Sequence, residues 1–123
     1  MHVQNSPGPL GAEISGIDLS QPVDDATFAA IERTFHDREV VVFRDQKLTP
    51  EQHIAFSRRF GELDFHVLKQ YLMPGHPEIL MLSNIIEDGR PAGIQDAGQY
   101  WHSDLSYSGT PSRCSLLYAI EVP

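Results

Sequence analysis

Residues 47–63 constrain the fold more than any other part of the sequence, because both ends of this stretch carry helix signals. It reads KLTPEQHIAFSRRFGEL. Thr49 fits the N-cap, Pro50 the first helical position, and Gln52 the position whose side chain closes a capping box. Gly61 supplies a stop, since glycine readily adopts the conformation that ends many helices. We therefore predict a helix between Thr49 and Gly61.

A second helix and four strands are predicted from the periodicity of the other residues. In DDATFAAIERTFHDRE, Asp24 or Asp25 can cap the first turn, and apolar residues recur at helix spacing along one face. Alternating or continuous apolar runs mark the strands. The predicted strands are Ala12–Ser20 (broken at Gly16), Val40–Phe43 (buried), Glu78–Asn84 and Cys114–Val122. This pattern of elements indicates the α+β class.

A long polar stretch, residues 85–113, separates the last two predicted strands. Long segments without regular structure are uncommon inside a domain and are often functional loops. This one holds His102 and Asp104, which point to the same side if the backbone is extended. An imidazole nitrogen and a carboxylate oxygen suit Fe(II), Mn(II) or Zn(II), although two ligands do not make a complete site. The local sequence leaves a plainer alternative open, in which His102 is a surface residue and Asp104 caps a turn.

Composition limits which binding partners and which cellular compartment we expect for the protein. A net charge of −8 argues against nucleic acid, which needs a basic face, and against an anionic membrane surface. Cys114 is the only cysteine, so no internal disulfide can form, which indicates a reducing compartment. The start, MHVQNSPGPLGAE, lacks the features of a secretory signal, and no apolar stretch approaches membrane-spanning length. We therefore expect a cytoplasmic protein with no nucleic-acid or membrane partner.

Several blocks of sequence, in order along nearly the whole chain, resemble the taurine dioxygenase (TauD/TfdA) family. They are GAEISGIDLS, VVVFRDQKLTPEQHIAFSRRFGEL, FGELDFH, ILMLSNIIEDGRPAG and YWHSDLSYSGTPSRCSLLYAIEVP. The most specific block contains the family pattern W-H-[ST]-D at residues 101–104. The resemblance implies a non-haem Fe(II) dioxygenase that depends on 2-oxoglutarate. It also implies a double-stranded β-helix (jelly roll) with two helices on its outer face.

The resemblance gives roles to individual residues. His102 and Asp104 are implied as the first two iron ligands, in a reaction that converts 2-oxoglutarate and O2 to succinate and CO2 while the substrate is oxidised. His66 follows FGELDF, where the taurine enzyme has a histidine that contacts its substrate. We predict a substrate contact for His66, the alternative being a capping or surface role. Asn84 and Tyr100 are further candidates for lining the pocket, against a turn cap for Asn84 and a place over the sheet edge for Tyr100.

Two departures from the family pattern bear on the substrate. Lys69 stands where the taurine enzyme has a tyrosine, and residues 98–100, Gly-Gln-Tyr, occupy the region of an asparagine. Both departures weaken taurine itself as a substrate, so the resemblance implies only a small organic anion, together with O2. Trp101 either packs beside the metal site or belongs to the core.

The family's third iron ligand is a histidine farther toward the C-terminus, followed by an arginine that pairs with 2-oxoglutarate. The chain contains neither, so we interpret residues 1–123 as the N-terminal portion of a single dioxygenase domain. It is expected to be an incomplete jelly roll that does not turn over alone, and its 2-oxoglutarate-binding residues cannot be assigned. Leu116, Leu117 and Ile120 would leave strand faces uncovered, which predicts a homo-oligomer.

Two rival functions stay open. A non-catalytic metal-binding or interaction module would pair its exposed sheet edge with another chain. A small zinc hydrolase would need His66 or His76 to complete a His/Asp/His set. It would also need a general base and outer hydrogen-bond partners, which the spacing does not assign.

Overall fold

The first unit of the chain, Met1–Arg59, combines a three-stranded sheet with two helices. The computed structural model describes residues 1–122, which divide into this unit and a second one beginning at Phe60. The elements of the first unit are β1 (His2–Asn5), β2 (Ala12–Ser15), α1 (Asp25–Arg38), β3 (Val41–Phe43) and α2 (Pro50–Ser57). The strand order is β1-β2-β3, with β1 antiparallel and β3 parallel to β2. The α+β class and both predicted helices are confirmed.

Both helices begin where a side-chain cap satisfies free backbone N–H groups. The Asp24 carboxylate accepts from Thr27, from its backbone N at 2.9 Å and from its hydroxyl at 2.6 Å. In α2, Gln52 N donates to the Thr49 hydroxyl at 3.3 Å and Thr49 N donates to the Gln52 side chain at 2.8 Å, which is the predicted capping box. Neither helix, nor any other within residues 1–122, is long and apolar enough to cross a membrane.

The core of the first unit is formed by β2, both helices and the loop after β2. Its buried apolar side chains are Ala12, Ile14, Leu19, Phe28, Ile31, Ile54 and Phe56. The ring of Phe56 packs edge-on against Phe28 and Phe43, at centroid distances of 6.3 and 5.7 Å. A strand forms at Val41–Phe43, but the prediction that it is buried is wrong, since Val40 and Val42 are exposed and Val41 and Phe43 are half-buried. β3 is an edge strand, so alternate side chains face away from the core.

Two other strands of this sheet differ from the prediction. β1 was not expected, because HVQN lacks the apolar alternation that marks strands. β2 is shorter than the predicted Ala12–Ser20: it ends at Ser15, and Gly16 turns the chain with a φ of 68°.

The second unit contains two short antiparallel pairs of strands. They are β4 (Leu72–Met73) with β5 (His76–Leu80), and β6 (Ile86–Glu87) with β7 (Arg90–Pro91). The predicted strand Glu78–Asn84 is confirmed in part, since β5 ends at Leu80. β5 begins at His76, two residues before the predicted start.

The predicted strand Cys114–Val122 is wrong, because residues 114–122 contain no strand. Within residues 1–122, no backbone hydrogen bond joins this segment to a neighbouring strand. A strand forms only as part of a hydrogen-bonded ladder, and an apolar pattern in sequence does not supply the partner. Pro123, where the predicted domain ends, lies outside the described residues.

Candidate metal-binding site

The loop that carries His102 and Asp104 is shaped by a turn on each side. A turn at residues 96–99 precedes it, closed by a 3.4 Å backbone hydrogen bond from the last residue to the first. Gly98 takes a φ of 76° there, a conformation that glycine adopts without strain. A second turn at residues 105–108 follows, closed by a 2.9 Å backbone hydrogen bond. These turns leave both ligand candidates on one short stretch.

Upstream, Ile94 attaches the loop to the chain that continues from β5. Ile94 N donates to Met81 O at 3.0 Å, and Ser83 N donates to Ile94 O at 3.1 Å, around a parallel bridge between Leu82 and Ile94. Gly93 is buried at this contact, and a Cβ there would lie 2.6 Å from Met81 O. The close approach of the two backbones therefore requires glycine at this position.

The His102 ring and the Asp104 carboxylate face each other, with Nε2 and Oδ1 3.2 Å apart. The other ring nitrogen, Nδ1, lies 2.7 Å from the carbonyl oxygen of Tyr100. The Tyr100 carbonyl raises the pKa of His102 above its usual value by accepting from the ring. Desolvation opposes this rise, and the Asp104 carboxylate adds to it. When the ring is neutral, a carbonyl partner at Nδ1 favours the tautomer whose Nε2 lone pair can bind a metal ion.

The second oxygen of Asp104 has a partner of its own, which the sequence analysis missed. Ser115 Oγ donates to Asp104 Oδ2 at 2.8 Å. The two residues are 11 positions apart, on either side of the turn at residues 105–108. No local sequence signal joins them, because the contact depends on the path of the intervening chain.

The pair offers two donors of suitable type and spacing for a divalent transition metal. Metal bonds of about 2.0–2.2 Å to nitrogen and oxygen place neighbouring ligand atoms roughly 2.8–3.1 Å apart in octahedral geometry and roughly 3.3–3.6 Å apart in tetrahedral geometry. The 3.2 Å between His102 Nε2 and Asp104 Oδ1 lies between these two ranges, so a small shift of either side chain would bring the two atoms to the spacing of ligands on one ion. Both side chains are about half exposed, so an ion and further small ligands can reach them. Within residues 1–122, no group of three or more His, Cys, Asp or Glu side chains could hold a metal ion.

The predicted substrate contacts have local partners or face solvent. Leu68 N donates to His66 Nδ1 at 3.2 Å, and Asn84 is exposed. The Tyr100 side chain is exposed too, although its carbonyl orients His102.

Trp101 and the alternative zinc site also differ from the predictions. The Trp101 side chain is fully exposed, so the structure places it neither in the core nor packed beside the metal-ligand candidates. The zinc set completed by His66 or His76 gains no support, since the described residues contain no such three-ligand group.

The known proteins that are similar to this chain belong to one family. The family model described as "Taurine catabolism dioxygenase TauD, TfdA family" matches residues 2–123. Pentalenolactone F synthase of Streptomyces arenae is 38% identical over 127 residues, which cover 100% of this chain and 42% of that protein. The alpha-ketoglutarate-dependent 2,4-dichlorophenoxyacetate dioxygenase of Cupriavidus pinatubonensis is 35% identical, over 98% of this chain and 46% of that protein. The chain therefore spans less than half the length of these curated relatives.

A solved structure agrees with them. The crystal structure of a taurine dioxygenase from Burkholderia xenovorans matches with a TM-score of 0.53 and 40% sequence identity. The match covers 62% of this chain and 26% of that one. Both the backbone and the sequence therefore resemble the same kind of protein.

Proposed function

Because the chain belongs to the taurine catabolism dioxygenase TauD, TfdA family, we propose that the whole protein is an Fe(II)- and 2-oxoglutarate-dependent dioxygenase. In this reaction the substrate, 2-oxoglutarate and O2 give a hydroxylated substrate, succinate and CO2. One oxygen atom enters a substrate C–H bond and the other enters the new carboxylate of succinate. The observation that carries the proposal is the pairing of His102 Nε2 with Asp104 Oδ1 at 3.2 Å, within a chain of this family.

His102 and Asp104 are the proposed Fe(II) ligands. When bound, Fe(II) with 2-oxoglutarate supplies the activation of O2. The chain's own residues supply ligation and orientation. The Tyr100 carbonyl orients the His102 ring through Nδ1, so Nε2 would be the atom that binds the ion, and Asp104 Oδ1 would contribute a negatively charged oxygen. Two ligands are fewer than the 2-His-1-carboxylate set of such enzymes, so residues 1–122 alone are not expected to turn over.

The proposed substrate is a small organic anion. One relative is named for 2,4-dichlorophenoxyacetate, a carboxylate, and a solved structure is of a taurine dioxygenase. The proposed substrate contacts are His66, Asn84 and Tyr100. Each has polar side-chain atoms and belongs to the same unit as the two proposed metal ligands. The double-stranded β-helix stays a prediction for the whole protein, as does a cytoplasmic homo-oligomer without nucleic-acid or membrane partners.

The ligand assignment is tested by the visible charge-transfer band of the Fe(II)–2-oxoglutarate complex. Under anaerobic conditions, Fe(II) and 2-oxoglutarate added to the whole protein should produce this band. His102→Ala should abolish it, because the variant lacks the nitrogen donor. His2→Ala is the control, since it removes an exposed imidazole from β1 and should leave the band unchanged. A full band in the His102→Ala variant would refute the assignment.

A further inference from the structure

The two oxygens of the Asp104 carboxylate have different neighbours. Oδ1 lies 3.2 Å from His102 Nε2, close to the spacing of two ligands on one ion. Oδ2 accepts a hydrogen bond from Ser115 Oγ at 2.8 Å. The carboxylate is therefore held by Ser115 at one oxygen and faces the His102 ring with the other.

We propose that Ser115 is a positioning residue that orients Asp104 for metal binding, an inference that rests on the proposed function. The last torsion of an aspartate side chain is broad, so an exposed carboxylate rotates readily when nothing holds it. A hydroxyl bonded to Oδ2 restricts this rotation and keeps Oδ1 beside His102 Nε2. Hydrogen bonds from outer residues orient metal ligands in this way in many sites.

The segment that carries Ser115 is attached to Phe60, which lies outside the turn at residues 105–108. Residues 114–122 form no strand, so ladder hydrogen bonds do not hold this serine in place. Arg113 Nη1 instead donates to the Phe60 carbonyl at 3.2 Å, which fixes the chain two residues before Ser115 within the second unit. The hydroxyl thus reaches Asp104 from a part of the chain with its own attachment.

Serine is suited to this task because its hydroxyl donates a hydrogen bond without adding charge. A lysine or arginine at this position would also donate, but its positive charge would oppose a divalent cation at Asp104. A neutral donor leaves the full negative charge of the carboxylate available to the ion. The role assigned to Ser115 concerns the orientation of Asp104 and not the reaction itself.

The experiment is a titration of the whole protein with Mn(II) alone, without 2-oxoglutarate or substrate. Mn(II) is paramagnetic, so binding at the pair broadens the NMR resonances of the His102 ring protons, and the titration yields a Kd. Ser115→Ala should weaken Mn(II) binding by about 10-fold, as expected when a hydrogen-bond partner of a metal ligand is lost. Ser115→Thr, which keeps a hydroxyl, should restore most of the affinity. Ser112→Ala, an exposed serine of the same stretch, is the matched control and should bind like the wild type.

The outcomes separate the positioning role from the proposed function. Wild-type broadening of the His102 resonances that is lost in Asp104→Ala, which keeps the His102 ring, supports the metal site. If Ser115→Ala then binds Mn(II) like the wild type, the positioning role is refuted while the site stands. Equal losses in Ser115→Ala and Ser115→Thr would also refute it, because the hydroxyl would not be the cause. If Mn(II) leaves the His102 resonances of the wild type unchanged, the ligand pair itself is wrong and the inference fails with it.

Discussion

A methyl group at Gly93 would lie 2.6 Å from the carbonyl oxygen of Met81 and 2.8 Å from the backbone N of Ser83. Gly93→Ala must therefore move one backbone away from the other and strain the two hydrogen bonds of Ile94. We expect a loss of about 1–3 kcal/mol in the free energy of unfolding, the usual cost of overpacking. Urea unfolding followed by circular dichroism measures it.

The control for this substitution is Gly109→Ala, since a Cβ at Gly109 would meet nothing within 4 Å. The control should unfold at nearly the same urea concentration as the wild type. Equal midpoints for Gly93→Ala and Gly109→Ala would contradict the close approach at Gly93. Because Gly93 precedes the loop of His102, Gly93→Ala should also broaden the range of His102 ring environments seen by NMR.

At the residue scale, the sequence predicts those parts of the candidate site that depend on neighbours in the chain. His102 and Asp104 are two positions apart, and their proximity needs only a short extended stretch. Ser115 could not be found in this way, since its contact with Asp104 spans 11 positions. The contact between the Tyr100 carbonyl and the His102 ring could not be predicted either, because a sequence pattern does not specify the direction in which a backbone carbonyl points.

Helix α1 provides a prediction at the scale of one element. Hydrogen bonds from the Thr27 hydroxyl and backbone N to the Asp24 carboxylate lower the pKa of Asp24 below its usual value. The stabilising effect of the charged cap is therefore complete above the unfolded-state pKa and is lost as pH falls through the lower folded-state pKa. Asn caps helices without titrating, so the stability difference between the wild type and Asp24→Asn should shrink between pH 7 and pH 3.

Urea unfolding of both proteins at the two pH values measures this difference. Thr27→Val supplies a second arm, since it removes the hydroxyl that donates at 2.6 Å and keeps the backbone N–H. The pH-dependent part of the stability should be smaller in Thr27→Val than in the wild type. A wild-type advantage over Asp24→Asn that is the same at pH 7 and pH 3 would show that the carboxylate charge does not contribute.

Elements specified by residues close together in sequence could be predicted. Strands, which depend on a partner strand elsewhere in the chain, could not be predicted reliably. Thr49, Pro50 and Gln52 specify the start of α2 within four residues, so its capping box was read correctly. The segment Cys114–Val122 has a strand-like composition, yet strand formation needs a partner that composition does not identify. β1 is the reverse case: His2–Asn5 has little strand character but pairs with β2 over four residues.

At the scale of the whole molecule, charge and exposed apolar area oppose each other. The net charge of −8 makes two copies of the chain repel at low salt. The second unit nevertheless exposes Leu117, Ile120 and Val122 at 83%, 84% and 71%, close together in a segment without strand pairing. Apolar side chains beside unpaired backbone groups are a recognised basis for association between chains.

We therefore expect the chain to self-associate, and more strongly in 0.5 M NaCl, where charge repulsion is screened to within roughly 5 Å. Sedimentation velocity at increasing protein concentration measures the fraction of oligomer. Changing Leu117, Ile120 and Val122 together to Ser should lower that fraction, because it removes the apolar area. The control is Leu10→Ser in the first unit, an apolar residue that is 57% exposed, and it should associate like the wild type. A wild-type chain that stays monomeric at every concentration and salt level would contradict the prediction, and equal association of the triple variant would place the contact elsewhere.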